Sequence, residues 1–109
     1  MALLKGTLDV LVLKALSWGP MHGFEITTWL EDRSDGLLIV GDAALLQALH
    51  RMEERTLISA AWGVTKNDRR ARYYEMTVRG RAHLRAESLA LTEHVAVLTT
   101  VLAARTVTR

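Results

Sequence analysis

The chain has 109 residues, of which 50% are hydrophobic, and this is enough for one domain with a modest core. Fourteen Lys and Arg against twelve Asp and Glu give a net charge of +2, so total charge argues only weakly for a polyanionic partner. The lack of cysteine excludes disulfides, thiolate metal sites and cysteine nucleophiles, and fits a reducing cytoplasm. The apolar start is interrupted by Lys5, Asp9 and Lys14, so we interpret it as structure and not as a signal peptide. No apolar run is long enough to span a bilayer.

Two helices are predicted in the first part of the chain. Thr7 is expected to cap a helix whose apolar residues recur at three- and four-residue steps, and the Gly19-Pro20 pair ends it. A second helix is expected from about His22 to Arg33. Its expected buried residues are Phe24, Ile26, Trp29 and Leu30.

A third helix is predicted to begin at Asp42, whose carboxylate is expected to cap its positive end. The run 37–40 before it has the composition of a strand. One face of the helix is apolar and carries Leu45, Ala48, Leu49 and Met52. The opposite face carries Ala43, Gln47, His50 and Glu54, with Arg51 at its edge. This polar face is the one expected to meet a ligand.

A β-hairpin with a basic tip is predicted next. The segments 57–62 and 72–76 are β-branched, aromatic or alternating, and a polar loop of about 65–70 joins them. This region contains one acidic residue, Asp68, and four cationic residues, namely Lys66, Arg69, Arg70 and Arg72. Such a run is usually only a solvated turn, but its place directly after a helix and a strand favours contact with DNA.

One long helix is predicted from about Thr77 to Ala104. Its residues at alternating steps of three and four form a heptad seam, consisting of Arg81, Leu84, Ser88, Leu91, Val95, Leu98 and Leu102. The second half of this helix is apolar nearly all round, and a chain this short has little else to cover it. A second copy of the chain is therefore the expected partner, and an intramolecular core helix is the alternative.

The order of these elements, with a helix followed by a basic hairpin, is typical of a winged helix, in which the helix enters a DNA groove beside the wing. No catalytic constellation is visible, and the four histidines do not have the spacing of a compact metal site. The sequence predicts no enzyme, metal or cofactor.

The chain also resembles the PadR-like transcriptional regulators, in particular the short members with a single C-terminal helix. The resemblance covers essentially the whole chain. It lies in LLKGTLDVLVLKALS at the start, GPMHGFEI at 19–26, ALHRMEER at 48–55 followed by LI at 57–58, and RRARYYEMT at 69–77 leading to Gly80. The resemblance implies a homodimeric repressor that binds an imperfect palindrome and is released by a small molecule or another signal.

The third helix departs from the family pattern. Where the family commonly has Gly-Ser-Leu-Tyr-Pro, this chain has AALLQ at 43–47, and the usual glycine after the helix is Thr56. Two hydroxyls that would reach phosphates are therefore missing, so the wing, His50 and Arg51 are expected to carry more of the affinity. Gln47 gains an amide able to pair with an adenine edge, and Ala43 a methyl able to lie against thymine.

Together, the residues and the family resemblance predict a mainly α (α+β) winged helix-turn-helix protein with a DNA-binding domain at 1–76 and a dimerisation helix at 77–109. The expected partners are an operator in double-stranded DNA, a second copy of the chain and a small-molecule effector, with no membrane. Expected DNA contacts are Lys5, His22, Ala43, Ala44, Gln47, His50, Arg51, Lys66, Asn67, Arg69, Arg70 and Arg72. Expected dimer contacts are Leu84, Leu91, Val95, Leu98 and Leu102. The alternative is a dimeric ligand-sensing or protein-interaction module that no longer binds DNA.

Overall fold

Four helices and a small antiparallel sheet form the part of the chain that the computed structural model describes, which is residue 3 and residues 6–105. In chain order the elements are α1 (Thr7–Leu16), β1 (Met21–His22), α2 (Gly23–Arg33), α3 (Asp42–Glu54), β2 (Ile58–Val64), β3 (Arg70–Met76) and α4 (Val78–Leu102). The strand order in the sheet is β1-β3-β2, and both pairings are antiparallel. This is the winged helix with a C-terminal helix that the sequence predicts.

Helix α1 lies at the centre of the core. Its side chains Val12, Leu13, Ala15 and Leu16 are almost completely buried, because α2, α3, α4 and β3 all pack around it. The predicted apolar face of α3 is also confirmed. The other core residues are Ile26, Leu30, Leu38, Leu45, Ala48, Leu49, Met52, Leu57, Ile58, Tyr74 and Met76.

The end of α3 joins the hairpin through a tight helix stop. The Leu57 N–H donates to the Met52 carbonyl and the Thr56 N–H to the Glu53 carbonyl, both at 2.9 Å. This pair of bonds is a Schellman motif, which needs a left-handed residue after the helix cap. Thr56 supplies it with φ of 57°. This Schellman motif fixes the direction in which the chain leaves α3 and enters β2.

Helix α4 is anchored to the same corner. The Thr77 Oγ1 accepts from the Gly80 N–H at 3.0 Å, which caps the helix, and donates to the Thr56 carbonyl at 2.7 Å. A Cβ at Gly80 would overlap the Leu57 carbonyl, so α4 approaches β2 as closely as it does only because residue 80 is glycine.

Two expected helix caps are wrong. Gly6, with φ of 86°, is the N-cap residue of α1, so Thr7 is the first helical residue and does not cap. Helix α3 does begin at Asp42, but its N-cap residue is Gly41 and no side chain caps it. Asp42 lies in the first turn, where its charge interacts favourably with the helix dipole.

Three further expectations about the first half of the chain differ from the structure. Segment 37–40 is not a strand, and the third strand of the sheet is instead β1, which the sequence analysis missed. Phe24 is 76% exposed and not buried. Trp29 is half-buried against the core, whereas Ile26 and Leu30 are buried as expected.

The second half of α4 extends away from the core. The Cα radius of gyration is 16.7 Å, whereas a compact chain of this length has about 13 Å. Leu84 packs against the core and Leu91 is half-buried. The other large apolar side chains from residue 89 onward are exposed, and include Leu89, Val95, Val97, Leu98, Val101 and Leu102. In the described residues, no helix has the length and hydropathy needed to cross a membrane.

Candidate nucleic-acid interface

The outer face of α3 is exposed along its whole length. Ala43, Gln47, His50 and Glu54 lie on it, opposite the buried Leu45 and Met52. Ala44 is also exposed, on the flank that faces α1. An exposed helix face with the amide of Gln47 near its middle can approach base edges in a major groove.

The hairpin of β2 and β3, here called the wing, has an ordered tip. The Thr65 N–H donates to the Arg69 carbonyl at 2.8 Å, and the Asp68 N–H donates to the Thr65 carbonyl at 3.0 Å. The Thr65 Oγ1 accepts from the N–H groups of Asn67 and Arg69, both at 3.3 Å. The side chains of Lys66, Asn67 and Arg69 therefore extend into solvent from a fixed backbone, as phosphate-binding groups do.

Arg70 lies on an aromatic surface that sequence reasoning missed. Its guanidinium carbon is 4.9 Å from the centre of the Trp62 ring. Trp62 is 64% exposed, and pairs across the wing with Arg72, so Arg70 is its diagonal neighbour on the same face. A cation over an exposed indole gains about 0.5–1 kcal/mol, which restricts Arg70 without neutralising it.

Arg72 connects the wing to α3. Its Nη2 lies 3.0 Å from the Glu53 Oε2, and both side chains are partly exposed. An ion pair of this type contributes about 1 kcal/mol or less, but it places the wing beside the flank of α3. The neighbouring Tyr74 is buried, and burial raises the pKa of its phenol above the usual value of 10.0.

Arg51 connects α3 to α1. Its Nη2 lies 2.8 Å from the Asp9 Oδ1, and its Nε 3.5 Å from Oδ2. The hydrogen bond to Asp9 raises the pKa of the Arg51 guanidinium. Asp9 is only 8% exposed, so the pair fixes α3 against the core helix. The sequence signal for a buried partner was that Asp9 is the single carboxylate of the largely apolar α1, although the sequence did not identify Arg51 as that partner.

His22 has a structural role in the free chain. Its Nδ1 accepts from the Glu25 N–H at 3.3 Å and the Glu25 carboxylate accepts from the His22 N–H at 3.1 Å, which forms a capping box at the start of α2. The ring packs edge-on against Tyr73 with centroids 5.3 Å apart. Of the predicted DNA contacts, Lys5 lies outside the described residues, and the others remain predictions.

The structure brings most of the predicted contacts into two groups, whereas Ala44 and Arg51 lie on the flank of α3 that faces α1. The outer face of α3 forms one and the wing forms the other, and the Arg72–Glu53 pair joins them. His22 stands apart at the β1 edge of the sheet. No cluster of three potential metal ligands occurs among the residues that the structure describes.

Comparison with known proteins identifies a matching family model and several solved structures with a similar fold. The family model "Transcriptional regulator PadR-like family" matches residues 12–86. A transcriptional regulator from Clostridium thermocellum is similar with a TM-score of 0.80 and 23% identity, over 88% of this chain and 93% of that one. A PadR-like transcriptional regulator from Bacillus cereus has a TM-score of 0.79 and 21% identity, over 93% and 96%. PadR of Bacillus subtilis, solved in complex with operator DNA, has a TM-score of 0.64 and 16% identity, over 72% of this chain and 45% of that one.

Proposed function

Because the chain belongs to the PadR-like family of transcriptional regulators, we propose that it binds operator DNA through α3 and the wing and acts as a repressor. One observation carries this proposal: the exposed outer face of α3 lies beside a wing that carries Lys66, Arg69, Arg70 and Arg72. The similar Bacillus subtilis protein was solved with operator DNA, which supports the same use of this fold.

The two groups have different tasks in this proposal. The wing cations meet phosphates, which supplies affinity without sequence information. Gln47 reads a base edge from the middle of α3, and His50 and Ala43 lie on the same exposed face. Arg51 and Arg72 each retain N–H donors beyond those used by Asp9 and Glu53, so both remain able to contact a phosphate.

The proposed active form is a homodimer built on α4. The apolar side chains beyond Leu91 are exposed in a single chain, and a heptad seam of this kind packs against an identical helix. A twofold dimer presents two copies of α3, so the operator is proposed to be an imperfect palindrome. In this proposal, binding of an effector releases the protein from its operator.

A second candidate function is a dimeric sensing or interaction module without DNA binding. The observation that favours it is that two predicted DNA contacts, Arg51 and Arg72, are engaged in ion pairs, while Glu54 adds a negative charge to the exposed face of α3. Ala43 and Ala44 add no hydrogen-bond donor there.

A titration with DNA separates the two. Labelled duplex from upstream of the protein's own gene is titrated at several salt concentrations, beside a shuffled duplex of equal length. Tighter binding to the upstream duplex, with affinity falling steeply as salt rises, is expected for a regulator. Equal affinity for both duplexes, or none, would contradict the proposed function and favour the second candidate.

A further inference from the structure

A groove runs along the flank of α3 that faces away from the wing. It has a volume of about 600 Å³, within the range of small-molecule sites. Its walls are the start of α1, segment 38–41, the α3 residues Ala44 and Arg51, and Arg55 at the C-cap of α3. These three residues project about half a turn from Glu53, which faces the wing, so the groove and the wing lie on opposite sides of α3.

The body of the groove is aliphatic. Leu8, Leu38, Ile39, Val40 and Ala44 line it, and none of the described lining residues is aromatic. Ile39 is 73% exposed, so an apolar ligand would remove much of its surface from water. A flexible hydrocarbon chain suits these walls better than a flat ring that needs a stacking partner.

One end of the groove is cationic. Arg51 and Arg55 are one helical turn apart and both line the groove. Asp9 occupies the Nε and Nη2 side of Arg51, which leaves other N–H donors of that guanidinium free. Within residues 3 and 6–105, Arg55 has no ion-pair partner, so the three groups together carry one positive charge.

We propose that this groove binds a linear aliphatic carboxylate of medium chain length, with its head group on Arg51 and Arg55 and its chain along Ala44, Leu38 and Ile39. Ligand binding at this site does not require DNA. Its consequence for DNA rests on the proposed function, because the ligand takes the free donors of Arg51 that a phosphate would otherwise use. Ligand and operator therefore compete.

Calorimetric titration of the full chain with octanoate tests the site without DNA. Octanoate is expected to bind at least about tenfold more tightly than octanol, which lacks the charge, and octylamine, which reverses it. Acetate, which lacks the chain, is expected to bind no more tightly than octanol. Equal binding of octanoate and octanol, or no binding of octanoate at millimolar concentration, would overturn the proposal.

Two variants and one control locate the site. Arg55→Gln is expected to weaken octanoate binding about tenfold, and Ala44→Leu to weaken it by filling the groove. Arg79→Gln removes an exposed charge from α4 and is expected to leave binding unchanged. Octanoate binding that is equal in all three variants would place the ligand elsewhere and refute the assignment.

Operator titration with and without octanoate then tests the competition. Octanoate is expected to weaken operator binding by the wild-type chain, and to have less effect on Arg55→Gln. If the wild-type chain does not bind the operator even without octanoate, the proposed function is wrong. The calorimetric titration still tests the ligand site in that case, because it uses no DNA. If operator and octanoate both bind but independently, the competition is wrong.

Discussion

Thr56→Gly is predicted to stabilise the protein. Thr56 is exposed and lies directly after the cap of α3 with φ of 57°, a backbone conformation in which a β-branched side chain is crowded. The Schellman hydrogen bonds from Thr56 and Leu57 hold it there. Glycine adopts this conformation without steric cost, so the substitution removes strain and leaves the two backbone bonds in place.

The expected change in the free energy of unfolding has three contributions. Relief of the left-handed strain gives about 1–2 kcal/mol. The larger conformational freedom of glycine in the unfolded chain reduces this stabilisation by roughly 0.5–1 kcal/mol. The Thr56 Oγ1 bond to the Arg55 carbonyl at 2.6 Å is also lost, but it is solvent-exposed and local, so its loss costs little. The expected net stabilisation is about 0.5–1 kcal/mol, or a Tm increase of roughly 2–5 °C.

Urea unfolding at fixed protein concentration measures this gain, with the midpoint rising and the slope unchanged. The matched control is Asp35→Gly, because Asp35 directly follows the cap of α2 with φ of 55° and the Gly36 N–H donates to the Glu31 carbonyl at 2.8 Å. Asp tolerates this conformation better than Thr, so a smaller gain is expected there. A Thr56→Gly protein no more stable than wild type would refute the strain argument.

Four other predictions concern the core corner, the wing, α3 and α4. Gly80→Ala should destabilise the fold by about 3 kcal/mol in urea unfolding, because its Cβ overlaps the Leu57 carbonyl; unchanged stability would show that α4 can shift freely. Arg70→Ala should weaken operator and random duplexes alike and lower the salt slope by about one unit, whereas a loss confined to the operator would mean that Arg70 reads bases. Gln47→Ala should cost roughly 1–3 kcal/mol on the operator and relax preference at one base pair per half-site, and an unchanged preference across single-base variants would exclude a base contact. Leu98→Lys should produce a monomer in sedimentation, because it places a charge in the proposed dimer interface, and a wild-type chain that is already monomeric at micromolar concentration would contradict the α4 dimer.

Elements with a strong internal period were determined by the sequence alone. The buried face of α3, the position of the hairpin and the extent of α4 all follow from residues that are neighbours in the chain, because an amphipathic period reports the local backbone geometry directly. The basic tip of the wing was also visible, since its cations are consecutive or nearly so. Recognising that a winged helix is followed by one long helix needed no tertiary information.

Tertiary structure decided which partner each element meets. Segment 37–40 has strand composition but pairs with no strand, whereas the two-residue β1 pairs with β3, because strand composition alone does not determine which segments pair. The Asp9–Arg51 pair spans 42 positions of the chain, so a local pattern can single out Asp9 but cannot show which cation it meets. The exposure of Phe24 and the contact of Trp62 with Arg70 likewise depend on which surfaces the other elements cover. Periodicity identifies a helix or strand and its apolar face, whereas burial, ion pairing and the groove beside α3 arise from contacts between residues distant in the chain, which only the folded structure specifies.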